Sequence, residues 1–278
     1  MRVICIGAHP DDCEIEFGGT AAKFGSRGDA VKFLSVTNGE AGHHLHPGPE
    51  LVKIRCAEAQ EAARRLGISE AEVLRYRDGR LLPSIEAREE LIRQIRAWNA
   101  DVVLTHRPFD YHPDHRATGH LVQDAAYLVM LPQVCSDAPA LPGNPVFLYL
   151  EDSFQRPTPF RGDIALDIGD VWERKLDALD AHRSQVYEWL PWIDAKTNDA
   201  KTNRETASDA AQVPEDPAAR RQWLDASWSR EISACTRAAL TRRYGPEHAA
   251  RVRHAEAFEL SEYGRQPSAA ELGEMFPR

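Results

Sequence analysis

The first 130 residues alternate two kinds of segment, and that alternation leaves few architectures open. Residues 2–7 (RVICIG), 31–37 (VKFLSVT), 73–76 and 101–105 (DVVLT) have the composition of short strands. Helical windows follow at 20–27, 50–66, 84–98 and 113–129, and the second of them is stopped by Gly67. Strand and helix in turn require parallel strands joined by right-handed crossovers, with a ligand crevice at the strands' carboxyl ends. The fold class read from this pattern is α/β. Farther on, prolines such as Pro139, Pro142 and Pro157 punctuate 135–160 around a strand-like run at 146–150. A short strand is expected at 163–168, a helix at 171–188 and another at 220–243, with a helical C-terminal region over about 220–278. The pentapeptide DAKTN occurs twice in succession, at 194–198 and 199–203, and opens a polar stretch that reaches about 217. Two copies of five residues make no solenoid. The stretch reads as an insertion loop at the surface, with a lid over the site as the sharper alternative. A length of 278 residues fits a single domain with such additions.

Composition narrows the function classes. Hydrophobic residues at 42% and charged residues at 28% exclude disordered, collagen-like and disulfide-scaffold chains. A net charge of −9 disfavours nucleic acid or an anionic membrane as the main partner, so a small-molecule ligand is expected. No window approaches the roughly 18 apolar residues of a membrane span, and the expected compartment is the cytoplasm. Cys5, Cys13, Cys56, Cys135 and Cys235 are scattered without a CxxC, so they read as reduced packing residues.

The chemistry sits at two strand ends. Directly after the first strand come His9, Pro10, Asp11, Asp12, Cys13 and Glu14, and the stiff Pro10 turn can aim His9 and Asp12 at one ion. A helix cap would explain either aspartate singly but not the histidine beside both. After the strand at 101–105 come Asp110, Tyr111, His112, Pro113, Asp114 and His115. Pro113 suits a helix start, which puts His112 and His115 one turn apart at its amino end. Together the clusters offer His, Asp and His as three ligands, with carboxylates and imidazole to spare, as an open catalytic zinc site needs. His106 and His120 flank the second cluster as packing or supporting residues. The tract His43, His44 and His46, set among glycines and prolines, reads as a solvated loop rather than a second metal site. No GxGxxG or GxxxxGK[ST] follows any strand, which weighs against a nucleotide-binding module.

The sequence resembles the LmbE-like or PIG-L family of N-acetylglucosaminyl deacetylases. The resemblance is carried by AHPDDCEIEFGGT at 8–20, TNGEAG at 37–42, RCAEAQEAARRLG at 55–67, HPDHRATG at 112–119 and KLDALDAHRSQ at 175–185. It implies a Rossmann-like three-layer fold and metal-dependent removal of an acyl group from an amino sugar, a glycoconjugate or a related amide. By motif position it implies that His9, Asp12 and His115 hold zinc; because two imidazoles and a carboxylate suit both ions, Fe2+ stays open beside Zn2+. Asp11 is then the general base, His112 holds the oxyanion and protonates the leaving amine, and Asp114 orients His112. Arg55 is placed beside the substrate, with an ion pair to Glu58 one turn along the helix as its structural alternative. Glu14 and His182, the latter near Ser184 and Gln185, are expected around the site, and homo-oligomers are compatible with the family. The chemistry agrees: zinc brings the pKa of its water to about 7, a carboxylate completes deprotonation, and an imidazolium suits the oxyanion. Three positions depart from the family pattern: Cys13 precedes Glu14, Glu16 replaces a usual glycine, and Asp110 stands where some relatives have tyrosine, with Tyr111 beside it.

Overall fold

The structure is a computed structural model that describes residues 1–201 and 213–278. Seven strands form one sheet: β1 (Arg2–Gly7), β2 (Ala30–Thr37), β3 (Glu70–Tyr76), β4 (Val102–Thr105), β5 (Val146–Leu150), β6 (Ile164–Asp167) and β7 (Ala255–Gly264). Their order is β3-β2-β1-β4-β5-β7-β6. The first five run parallel and β7 is antiparallel to both β5 and β6. Alternate residues of β1 enter opposite layers, as the two-residue period of a strand dictates. Val3 and Cys5 join a core with Phe17, Phe24, Leu66 and Leu176. Ile4 and Ile6 join another with Leu91, Ile92, Ile95 and Leu121. The helices α1 (Asp12–Ser26), α2 (Gly48–Leu66) and α5 (Trp172–Ala181) therefore cover one face, and α3 (Ile85–Trp98) and α4 (Pro113–Leu128) the other. This is the three-layer α/β architecture expected. No helix among the described residues is long and apolar enough to cross a membrane.

Four expectations are corrected. First, α1 starts at Asp12 rather than near residue 20. Gly18 and Gly19 weaken a helical pattern, but here they permit close packing: a Cβ on Gly19 would lie 2.8 Å from Ile168 Cδ1. Second, the helix expected at 171–188 ends at Ala181; a π-helical turn over Ser184–Trp189 leads into α6 (Leu190–Lys201). Thus the first DAKTN copy is helical, and α7 (Pro217–Trp228) begins at the far end of the supposed 194–217 loop, of which 202–212 lie outside the described residues. Third, the helix expected at 220–243 is two, α7 and α8 (Ala234–Tyr244), with Ser233 capping the second by accepting the Thr236 N–H. Fourth, the C-terminal region is not wholly helical. Beside α9 (Pro246–Arg251) and α10 (Ala269–Met275) it contains β7, inserted between β5 and β6. The run AEAFELSE is rich in good helix formers, and its strand state is set by pairing on both edges, a tertiary effect that overrides propensity.

Candidate active site

The chain leaves β1 to build β2 and β3 on one side of the sheet, then returns to build β4 and β5 on the other. Such a switch point opens a crevice between the two strands' carboxyl ends. Ile6 pairs with Thr105, so both motifs emerge side by side. Gly7 is required by the close approach: a Cβ there would lie 2.8 Å from Asp12 Cβ.

His9, Asp12 and His115 converge. His9 Nδ1 is 3.2 Å from His115 Nε2, Asp12 Oδ2 is 3.5 Å from His9 Nδ1, and Asp12 Oδ1 is 3.4 Å from His115 Nε2. A tetrahedral ion with bonds of about 2.0–2.1 Å needs ligand atoms roughly 3.3–3.4 Å apart, and these three groups approach one another at about that spacing, His9 through Asp12 Oδ2 and His115 through Asp12 Oδ1. The outer contacts fit as well. His9 Nε2 faces Asp78 Oδ1 at 3.2 Å and Asp114 Oδ2 at 3.5 Å, while His115 Nδ1 faces Asp110 Oδ1 at 3.1 Å. Carboxylates behind ligating histidines fix the ring orientation and raise its basicity. Burial opposes protonation of His9, yet hydrogen bonds to Asp114, Asp12 and Asp78 bring it well above the usual imidazole value. His115 is likewise disfavoured as a cation by burial but raised to about 9 by Asp12 and Asp110. An excess of buried carboxylates around two imidazoles is an environment that calls for positive charge. His106 supports Asp12 from behind: its Nε2 lies 3.1 Å from Asp12 Oδ2 and its ring stacks on His115 at 4.0 Å.

Asp11 occupies the N-cap position of α1 but makes no capping hydrogen bond, and its φ of 146° is a strained value for a residue with a side chain. Its Oδ1 lies 3.1 Å from Arg55 Nη2. Burial raises the Asp11 carboxyl to about 6 against the opposing guanidinium, a value suited to proton transfer near neutrality. Arg55 itself is buried and directs its guanidinium to Pro10 O, Gly39 O and Asp11, rather than to Glu58. Its alternative partner, Glu58, accepts from Ser184 N and Oγ at 2.8 and 2.6 Å. Gln185 donates to Gly42 O at 3.0 Å, and buried His182 and Glu14 pair at 3.2 Å.

His112 caps α4, its Nδ1 accepting the Asp114 backbone N–H at 3.2 Å. The Asp114 carboxylate does not reach that ring. It accepts N–H groups from Gly79 and Leu81 at 2.6 and 3.2 Å and backs His9, so the expected Asp114-to-His112 orientation is corrected to a backbone contact. Burial, with His9 and His115 adding to it, lowers His112 to about 4. With Nδ1 accepting that N–H, a neutral ring carries its proton on Nε2.

Asp78 was invisible to motif reading, although an Asp-Gly pair directly after a third strand end was the available signal. Glu256 was missed too: from β7 it accepts Gly19 and Thr20 N–H at 2.9 and 2.7 Å and pairs with Lys175 at 2.7 Å. Cys13 donates to Cys5 O and holds no metal-facing position, and Glu16 pairs with Arg230 at 3.1 Å. Tyr111 is exposed, its ring against those of His112 and His115. His120 is exposed. The histidine tract is packed rather than solvated: His44 stacks on Trp192 at 4.5 Å, and His43 Nε2 meets Glu188 at 3.0 Å. His43 Nδ1 accepts two backbone N–H groups, which leaves its proton on Nε2 and makes that nitrogen a poor ligand. From Asp12 and His115 a cavity of about 1200 Å³ runs past Leu150 toward Trp223 and Trp228.

This α/β fold carries, at its switch point, a buried group of histidines and aspartates that could hold a metal ion. The family model for PIG-L, GlcNAc-PI de-N-acetylase, matches residues 4–126. The chain is 32% identical to diacetylchitobiose deacetylase of Thermococcus kodakarensis, over 69% of this chain and 74% of the relative. It is 29% identical to a 1D-myo-inositol 2-acetamido-2-deoxy-alpha-D-glucopyranoside deacetylase of Thermobifida fusca, over 66% and 83%. The structure of N,N'-diacetylchitobiose deacetylase from Pyrococcus horikoshii aligns with a TM-score of 0.66 at 26% identity, covering 93% of this chain and 83% of that one. The chain belongs to the PIG-L (LmbE-like) family.

Proposed function

We propose that this protein is a metal-dependent hydrolase that removes the N-acetyl group of an N-acetylglucosamine-containing substrate. The observation that carries the reading is the convergence of His9, Asp12 and His115 within 3.5 Å of one another, beside a base held up to about 6. The deacetylase names of the relatives support it. A Zn2+ or Fe2+ ion held there would supply Lewis acidity toward the amide oxygen and acidify water. Asp11 takes the proton of the attacking water, and Arg55 keeps its carboxylate aimed. His112, neutral and with Nδ1 occupied, donates its Nε2–H to the oxygen on which negative charge develops. A neutral imidazole already donating is a poor acid, so Asp11 passes its proton on to the amine nitrogen as the C–N bond breaks. Acetate and a free amine leave. The resting place for the proton thus shifts from His112 to Asp11, a change from the role implied by resemblance.

A metal-dependent amidase for non-sugar amides would use the same groups and differ in the outer cavity. The test is metal analysis of the purified protein followed by an assay for acetate and amine released from N-acetylglucosamine glycosides. About one divalent ion per chain, loss of turnover with a chelator and its return with Zn2+ or Fe2+ are expected. Protein that binds no divalent ion under metal-replete conditions would overturn the reading, and turnover of simple amides alone would select the amidase. The five unpaired cysteines, Cys5 and Cys13 buried among them, support placing the protein in a reducing cytoplasm.

A further inference from the structure

The cavity beyond the metal-ligand cluster is far larger than an acetamido group needs, and its walls have a definite charge pattern. Among the described residues, each lysine and arginine along it already has an acidic partner. Arg107 pairs with Asp152 at 2.9 Å, Lys175 with Glu256 at 2.7 Å, and Arg230 with Glu16 at 3.1 Å. Glu16 lies one turn along α1 from Asp12, so its ion pair with Arg230 stands immediately beyond the cluster. Glu151 accepts from the hydroxyls of Ser233 and Thr236 at 2.7 and 2.8 Å and shares the charge of Arg230, whereas exposed Glu231 forms no ion pair with any described residue. Carboxylates on this wall outnumber its lysine and arginine side chains. Trp223 and Trp228 complete the far side as flat apolar surfaces of the kind that pack against the C–H face of a sugar ring.

We propose that this cavity reads the group attached to the amino sugar, and that its paired cations, its excess of carboxylates and its tryptophans admit a neutral or cationic glycan unit and reject an anionic one. This rests on the deacetylase reading above and adds the substrate class. An anionic unit entering here meets more carboxylates than cations and, among the described residues, no lysine or arginine without an acidic partner, whereas hydroxyls or an ammonium group find acceptors.

The experiment compares three disaccharides in which N-acetylglucosamine is linked to N-acetylglucosamine, to glucosamine or to glucuronic acid, with kcat/KM read from acetate release by the metal-loaded enzyme. The glucuronate should be poorer than the other two by about tenfold or more. The gap should shrink as salt shortens the Debye length from roughly 10 Å to about 3 Å. Glu231→Lys, which reverses one charge on the cavity wall, should narrow the gap several-fold, chiefly by improving the glucuronate. Equal or better turnover of the glucuronate overturns the charge assignment, as does a gap indifferent both to salt and to Glu231→Lys. Acetate from none of the three defeats the deacetylase reading itself, a separate outcome.

Discussion

The part of the chain that runs through α4 and the part that follows it make the two sides of one site by different means. In the first, the clustered side chains other than Arg55 on α2 lie within a few residues of a strand end: His9, Asp11 and Asp12 after β1, Asp78 after β3, His112, Asp114 and His115 after β4. Parallel pairing alone brings these segments together. In the second, the cavity wall is assembled from the π-helical turn, the α7–α8 link and β7, whose positions depend on packing against distant elements. In the proposed function, chemistry is thus built from short local motifs on the sheet, and recognition draws on long-range contacts. The two halves should fail differently when altered.

The sharpest way to break that distinction is to remove a ligand. His115→Ala should lower bound metal from about one ion per chain to none and abolish acetate release, with the fold retained by circular dichroism. Metal retained at full occupancy would show that the ligand set is different. Next, Asp11→Asn should keep the metal and lower kcat by about 10²–10⁴, since the base is gone while the cluster remains. Loss of metal with Asp11→Asn would mean that the base and a ligand have been exchanged in our assignment.

His112 separates two roles by graded substitution. If the ring acts as a neutral donor, His112→Ala should lower kcat by about 10²–10³, and His112→Gln, which restores an N–H near the same place, should recover part of it. If it acts as an acid, Gln and Ala should be equally poor. The seam between the two regions is tested by Glu256→Ala. That change leaves Lys175 and two α1 amides without their buried acceptor and should cost about 3 kcal/mol of stability by denaturant titration, with metal content unchanged. A neutral result would show that β7 is held by its strand pairing alone.

The same contrast decides what was legible beforehand. The strand positions of β1, β2, β4 and β5, and the placement of His9, Asp11, Asp12 and His115, followed from short-range pattern because apolar runs and strand-end polar clusters leave their mark in adjacent residues. Asp114 and Arg55 were found as site residues but with the wrong partners. Side-chain direction depends on which backbone groups lie opposite, and Gly79 and Leu81, which claim Asp114, come from another strand end. β7 and Glu256 were not legible at all, because an Ala- and Glu-rich run carries a helical preference that only its two neighbouring strands overturn.

The smallest expected effect is on the recognition side. Trp228 lies on the cavity wall, its ring 5.7 Å from the guanidinium of Arg230, which is itself tied to Glu16. Replacing it removes one flat face and leaves the metal cluster untouched. Trp228→Ala should therefore raise KM for a disaccharide by about tenfold, in line with one lost sugar-stacking contact of roughly 1–1.5 kcal/mol, while kcat for that disaccharide and turnover of N-acetylglucosamine alone stay as they were. If kcat falls instead and the monosaccharide suffers equally, the wall takes part in positioning the scissile amide, and the division between a catalytic first part and a recognising second part does not hold.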